Sequence, residues 1–183
     1  MTGAQDQKFT ILCSWFARGQ DGYLTSDDFL GMADLFTSLP GGEEPENAEP
    51  VREAFAKWWQ LLLDSGDADA DGRIGRQEFL DLMKSNVATP GNFEEAVLRI
   101  ADAFIRIVDT SGDGSLAFDE YVRMYAGLGI DPKHSTDAFR RLDRDQDGRI
   151  SEDEFRTAIT EFYLSDDPDA PGNWLLGPMA QPA

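Results

Sequence analysis

The sequence predicts an all-α protein: four helix–loop–helix units in two pairs, packed as one compact globule, with short β-bridges between the paired loops. Three observations predict it. Twelve-residue stretches at 67–78 (DADADGRIGRQE), 109–120 (DTSGDGSLAFDE) and 143–154 (DRDQDGRISEDE) align without a gap, and each is followed by an aromatic residue, Phe79, Tyr121 or Phe155. Apolar residues recur at helical spacing beside these stretches. A degraded fourth copy (ARGQDGYLTSDD) lies upstream at 17–28.

In chain order, the first unit places Phe9, Leu12 and Phe16 on one helical face, and Phe29, Ala33 and Phe36 on the next. A polar connector with three prolines, 39–50, leads to the second unit, whose stripes are Phe55, Trp58, Trp59 and Leu62, then Phe79, Leu82 and Met83. A short break at 88–92 contains Pro90 and Gly91, which argues against one long helix joining two independent lobes. Phe93, Val97, Ile100, Phe104 and Val108 precede the third loop. Phe139 and Leu142 precede the fourth, and Phe155, Ile159 and Phe162 follow it. Eight helices flanking four loops result, and their stripes read as core. The expected organisation is an N-terminal pair over 1–87, a C-terminal pair over 88–165, and a tail over 166–183. Trp174, Leu175, Leu176 and Met179 dock that tail on the globule.

The spacing within the repeats has a chemical reason. A hard cation of calcium's size takes six to eight oxygens in a flexible geometry. Positions 1, 3 and 5 supply them from Asp67, Asp69 and Asp71; from Asp109, Ser111 and Asp113; and from Asp143, Asp145 and Asp147. Position 6 must turn sharply, and glycine stands there each time. Position 7 gives a backbone carbonyl, from Arg73, Ser115 and Arg149, so its side chain is free to vary. Position 9 is Gly75, Ala117 or Ser151, which leaves that coordination place to water. Glu78, Glu120 and Glu154 at position 12 are long enough to bring both carboxylate oxygens to the ion from the exiting helix. One such Asp/Gly-rich turn arises easily by chance; three full copies do not.

The fourth copy departs from this pattern. Position 1 is Ala17, position 3 is Gly19, and position 12 is the shorter Asp28, with Arg18 beside the gap. This loop is expected to be silent and to survive as the partner of the second, with Leu24 facing Ile74. Three calcium ions are therefore expected, with magnesium as a competitor.

These repeats identify the chain as resembling the EF-hand superfamily. Four hands, unequal spacing, a dead loop and an apolar tail resemble the sarcoplasmic calcium-binding protein family, its calerythrin-like members included. The resemblance implies a compact globule that binds calcium tightly and holds magnesium when calcium is low. In calerythrin the silent hand is the second, whereas here it is the first.

Charge and composition bound the rest. Asp and Glu number 35 against 16 Lys and Arg, a formal net charge of −19, which repels nucleic acid and anionic membrane surfaces. Twelve Phe and four Trp demand a core and exclude a disordered acidic chain. One cysteine, Cys13, and one histidine, His134, leave no zinc cluster, no internal disulfide and no nucleophile–base pair, so no catalysis is expected. His134 reads as a helix-start or surface residue. The first ten residues lack a signal-peptide core and no apolar run approaches membrane-spanning length, so a cytoplasmic monomer is expected. Three roles are compatible with these features: a calcium buffer, favoured by five Met against many aromatics; a sensor exposing an apolar surface to a target protein; and a small-molecule-binding protein of the luciferin-binding kind.

Overall fold

A computed structural model describes residues 3–17, 19, 21–67 and 69–178. Helices α1 (Ala4–Phe16) and α2 (Ser26–Thr37) flank the first loop. Helices α3 (Pro45–Gly66) and α4 (Arg76–Leu82) flank the second. A single turn, α5 (Pro90–Asn92), leads into α6 (Arg99–Val108), which with α7 (Phe118–Gly127) flanks the third. Helices α8 (Ser135–Leu142) and α9 (Glu152–Leu164) flank the fourth. Apart from the single turn, these are the eight helices the repeats require.

The loops join in pairs through two-stranded antiparallel bridges. Strand β1 (Tyr23–Leu24) lies against β2 (Ile74–Gly75), with Leu24 opposite Ile74. Strand β3 (Ser115–Ala117) lies against β4 (Arg149–Ser151), with Leu116 opposite Ile150. All four of these apolar residues are buried. An apolar residue at position 8 thus serves twice, closing the ladder and anchoring each loop pair to the core.

The connectors differ from the sequence reading. The stretch 39–50 is not all loop, because α3 begins at Pro45. Proline suits the first helical position, where its missing N–H is unpaired anyway, so Pro45 starts the helix rather than delaying it. Pro50 lies inside α3, at the cost of the hydrogen bond its N–H would make. Beyond α4 the backbone continues as a π-helical segment, Met83–Val87, and a second one, Phe93–Leu98, enters α6. Between them Thr89 is extended and Pro90 opens the next turn, so the break is confined to Ala88 and Thr89.

One continuous core runs through both halves. The Phe36 and Phe104 rings meet across them with centroids 4.4 Å apart, and Trp58 meets Tyr163 at 6.2 Å. Lys8, on the apolar face of α1, is fully buried. It donates to the carbonyls of Ser165 (2.7 Å) and Glu161 (3.2 Å) at the end of α9. A cation at a helix C-terminus faces the negative end of the dipole, and here it ties the first helix to the last. Burial pushes the Lys8 ammonium pKa down, against the pull of Asp166, Glu161 and Asp167.

After α9 the chain turns back, and a 3₁₀ turn at Pro171–Trp174 lies on the globule. Leu175 is buried, the Tyr125 hydroxyl donates to the Trp174 carbonyl at 2.8 Å, and the Arg141 guanidinium lies 4.5 Å over the Trp174 ring. Met179 and Arg18, both named in the sequence reading, lie outside the described residues. His134 ends a short turn at the start of α8.

Candidate metal centres

Each complete loop starts at the C-terminal end of one helix and finishes in the first turn of the next. In all three the position 1 aspartate leaves the helix, and one of its oxygens accepts the N–H of the position 6 glycine. These bonds are Gly72 N to Asp67 Oδ2 at 2.9 Å, Gly114 N to Asp109 Oδ2 at 2.8 Å and Gly148 N to Asp143 Oδ2 at 3.0 Å. That bond curls the loop so that positions 1, 3 and 5 face a common point. The curl needs left-handed backbone at position 6, as in Gly72 (φ +73°) and Gly148 (φ +86°), where glycine alone is unstrained. It also needs it at position 4, where Ala70 (φ 57°) and Gln146 (φ 60°) carry the strain of a side chain.

In the second and fourth loops the three aspartates converge. Ligand oxygens of Asp67, Asp69 and Asp71 lie within 4.8 Å of one another, and so do those of Asp143, Asp145 and Asp147. In the third loop Ser111 stands at position 3, and its hydroxyl donates to Asp109 Oδ1 at 3.1 Å. Position 5 is held by the N–H two residues on: Arg73 N to Asp71 (2.9 Å), Ser115 N to Asp113 (3.1 Å) and Arg149 N to Asp147 (2.8 Å).

The position 12 glutamates are placed by the helices they open. One oxygen of each accepts the position 9 N–H, from Gly75 (2.8 Å), Ala117 (2.9 Å) and Ser151 (2.9 Å). The other oxygen of Glu120 reaches back to Ser111 N (2.9 Å) and the Thr110 hydroxyl (3.0 Å). That of Glu154 reaches Arg144 N at 2.7 Å. Glu120 and Glu154 therefore span their loops from end to end. Burial works against the charge of Glu154, yet the N–H groups of Ser151, Arg144 and Asp145 and the Ser151 hydroxyl hold its carboxyl below the usual range.

The donor set is carboxylate, hydroxyl and carbonyl oxygen only, which fits a hard divalent cation and gives a soft metal no ligand. Calcium would be held by Asp67, Asp69, Asp71 and Glu78; by Asp109, Ser111, Asp113 and Glu120; and by Asp143, Asp145, Asp147 and Glu154. The carbonyls of Arg73, Ser115 and Arg149 would complete each set. Bound there, the ion supplies charge neutralisation and a cross-link between two helices.

The first loop lacks this geometry. Ala17 offers no carboxylate to the Gly22 N–H, and Asp28 is turned onto Thr25, accepting from its backbone N–H (2.8 Å) and hydroxyl (3.0 Å) as a helix cap.

Sequence reasoning missed the arginines around the loops. Arg73 bonds Asp71 through Nη2 (2.9 Å) and lies 4.9 Å over the Tyr23 ring of the paired loop. Arg149 crosses from the fourth loop to the Asp113 carboxylate and the Ser115 hydroxyl of the third. Arg123 donates to the Thr110 hydroxyl at 3.0 Å. The signal was present: a long cation at position 7 beside a bridge that aligns two loops.

Comparison with known proteins agrees with this geometry. The family model described as the EF hand domain matches residues 136–162, the fourth unit. The chain is 31% identical over 160 residues to the sarcoplasmic calcium-binding protein of Perinereis vancaurica tetradentata, covering 87% of this chain and 89% of the relative. It is 22% identical over 135 residues to calerythrin of Saccharopolyspora erythraea, covering 73% and 75%. Among solved structures, a sarcoplasmic calcium-binding protein from amphioxus superposes with a TM-score of 0.75 at 17% identity over 100% of both chains, which shows the shared fold. With paired loops that offer a hard cation only oxygen, and with that identity over most of both chains, this calcium-binding EF-hand protein belongs to the sarcoplasmic calcium-binding protein family.

Proposed function

We propose that the chain holds three calcium ions, in its second, third and fourth loops, and acts as an intracellular calcium buffer. The observation that carries the number is the bond between position 1 carboxylate and position 6 N–H. The three complete loops share it, and the first loop has no side chain to make it. Three preformed curls and three glutamates at position 12 support three sites, with magnesium competing for the same oxygens.

The buffer reading is supported by the core. A sensor opens an adaptable, methionine-rich groove. Here the interior is a network of packed rings, and the large exposed apolar side chains, Tyr23, Leu30, Phe118 and Leu164, sit on separate elements. We place the protein in the cytoplasm as a monomer without catalytic activity, its partners being calcium ions.

Calorimetric titration of the metal-free protein with calcium, with and without millimolar magnesium, tests the proposal. Three ions per chain and a weaker apparent affinity in magnesium are expected. Two or four ions would overturn the assignment of loops. A calcium-induced rise in binding of an apolar-surface dye would overturn the buffer reading in favour of a sensor.

A further inference from the structure

The third loop differs from the second and fourth in what it asks of its position 12 glutamate. Ser111 stands at position 3, so this loop offers three carboxylates where the other two offer four. One of the three, Asp113, is already bonded to Arg149. The charge that would hold an ion here therefore rests more heavily on Glu120. That residue is also set differently from its counterparts: it is 3% exposed, whereas Glu78 is exposed and Glu154 only partly buried.

Both oxygens of Glu120 are fixed. Oε2 accepts the Ala117 N–H at 2.9 Å, while Oε1 accepts the Ser111 N–H at 2.9 Å and the Thr110 hydroxyl at 3.0 Å. Thr110 occupies position 2, between two ligand positions, where the second loop has Ala68 and the fourth has Arg144. The Arg144 guanidinium goes to Glu161 Oε1 at 2.6 Å. A hydroxyl at position 2 is thus particular to the third of the complete loops. Arg123, on α7 three residues beyond Glu120, donates to that hydroxyl at 3.0 Å, and Asp119 holds the same guanidinium at 3.1 Å. An arginine can only donate, so the Thr110 oxygen accepts from it and turns its own proton to Glu120. Leu39 and Pro40, from the connector after α2, line the same small cavity as Glu120, Thr110 and Arg123.

We propose that Thr110 and Arg123 are positioning residues of the third site, fixing the plane of the Glu120 carboxylate and so favouring calcium over magnesium there. This rests on the three-ion reading. Calcium takes both oxygens of a position 12 glutamate, whereas magnesium demands a tighter octahedron, keeps several waters and takes fewer carboxylate oxygens. A carboxylate held at both oxygens is set for the first and must turn for the second. Removing an outer partner that orients a metal ligand costs about tenfold to a hundredfold in metal affinity. The third loop, one carboxylate short, depends on that orientation more than its neighbours do.

The test titrates the full chain with chelator-buffered calcium, and separately with magnesium, following the metal-bound Gly72, Gly114 and Gly148 amide signals by proton–nitrogen NMR. Each of these N–H groups is bonded to the position 1 carboxylate of its own loop, so each reports its own site. Thr110→Val is expected to raise the calcium midpoint of Gly114 about tenfold. Its magnesium midpoint should move much less, and Gly72 should keep its wild-type values. Thr110→Ser, which keeps the hydroxyl, should restore the Gly114 calcium midpoint, and Arg123→Met should shift it in the direction of Thr110→Val. An unchanged Gly114 midpoint in Thr110→Val, equal losses for calcium and magnesium, or no rescue by Thr110→Ser would overturn the proposal. If Thr110→Val does not fold, an unchanged Gly114 midpoint in Arg123→Met overturns it instead. A Gly114 signal that ignores calcium in the unaltered chain would bring down the three-ion reading, and the proposal with it.

Discussion

The guanidinium of Arg149, carried by the fourth loop, is bonded to Asp113 of the third loop and donates to the Ser115 hydroxyl at 2.8 Å. Asp113 is held below the usual carboxylate range, first by the Ser115 hydroxyl, against slight burial, and then by the Arg149 charge. A ligand of one site is thus occupied by a cation from its neighbour. An ion entering the third loop must share Asp113 with that cation or displace it, and meets its charge at close range. Arg149→Ala is expected to tighten calcium binding in the third loop roughly threefold to tenfold, with the gain shrinking in high salt. Calorimetry at two salt concentrations reads both effects. A third-loop affinity equal to wild type at low salt would show the contact to be inert.

Glu78, Glu120 and Glu154 each close a loop at position 12, accepting its position 9 N–H, and a neutral amide cannot give bidentate carboxylate coordination. Glu→Gln at any one of them is expected to lower the calcium stoichiometry from three to two. The Glu120 and Glu154 variants should also lose cooperativity between the third and fourth loops, which share the Leu116–Ile150 bridge. Asp28→Asn, in the first loop, should leave the stoichiometry unchanged. Equilibrium dialysis with radioactive calcium counts the ions directly, and a wild-type count in all three Glu variants would contradict the loop geometry.

Local chemistry made most of this legible. A twelve-residue repeat fixes loop length, its glycine fixes the turn, and position 8 fixes which residues bridge, so Leu24 opposite Ile74 followed from spacing. What escaped depends on tertiary placement. Proline at a helix start reads like proline in a loop, so Pro45 hid the first turn of α3. Arg149 stood at a position whose side chain looked free, because its target belongs to another loop 34 residues away. Lys8 lies on the apolar face of α1 and is buried there only because the end of α9 is brought over it.

The tail is seated through Gly172. A β-carbon there would lie 2.4 Å from the Ala158 carbonyl oxygen and 2.7 Å from Glu161 Cβ, both on α9. The glycine N–H also donates to Glu161 Oε2 at 2.9 Å. Gly172→Ala must therefore push the turn off the helix. A loss of about 1–3 kcal/mol in stability is expected, with increased solvent exposure of Trp174. Thermal unfolding and quenching of tryptophan fluorescence in calcium check this. Wild-type values for both would show that the turn can shift without cost.

Calcium should govern folding as well as occupancy. The three complete loops hold eight Asp and three Glu at ligand positions, in a chain already at −19. Ligand oxygens within 4.8 Å of each other repel when nothing lies between them. In the absence of metal, backbone N–H groups, a few hydroxyls and a few arginines oppose that repulsion. Three divalent ions add six positive charges, moving the formal charge of −19 to −13. A site held at a hundred times its dissociation constant adds about 2.7 kcal/mol if the unfolded chain binds nothing, so three add roughly 8 kcal/mol. That is comparable to the whole stability of an ordinary domain. The metal-free protein is therefore expected to be loosely packed, with partial helix and broadened side-chain NMR signals, and magnesium should restore part of the order. Thermal unfolding by circular dichroism, in chelator, in magnesium and in calcium, reads this. Melting temperatures should rise in that order by tens of degrees. A value in chelator within a few degrees of that in calcium would mean that the aromatic core alone, from Phe36–Phe104 to Trp58–Tyr163, sets the fold.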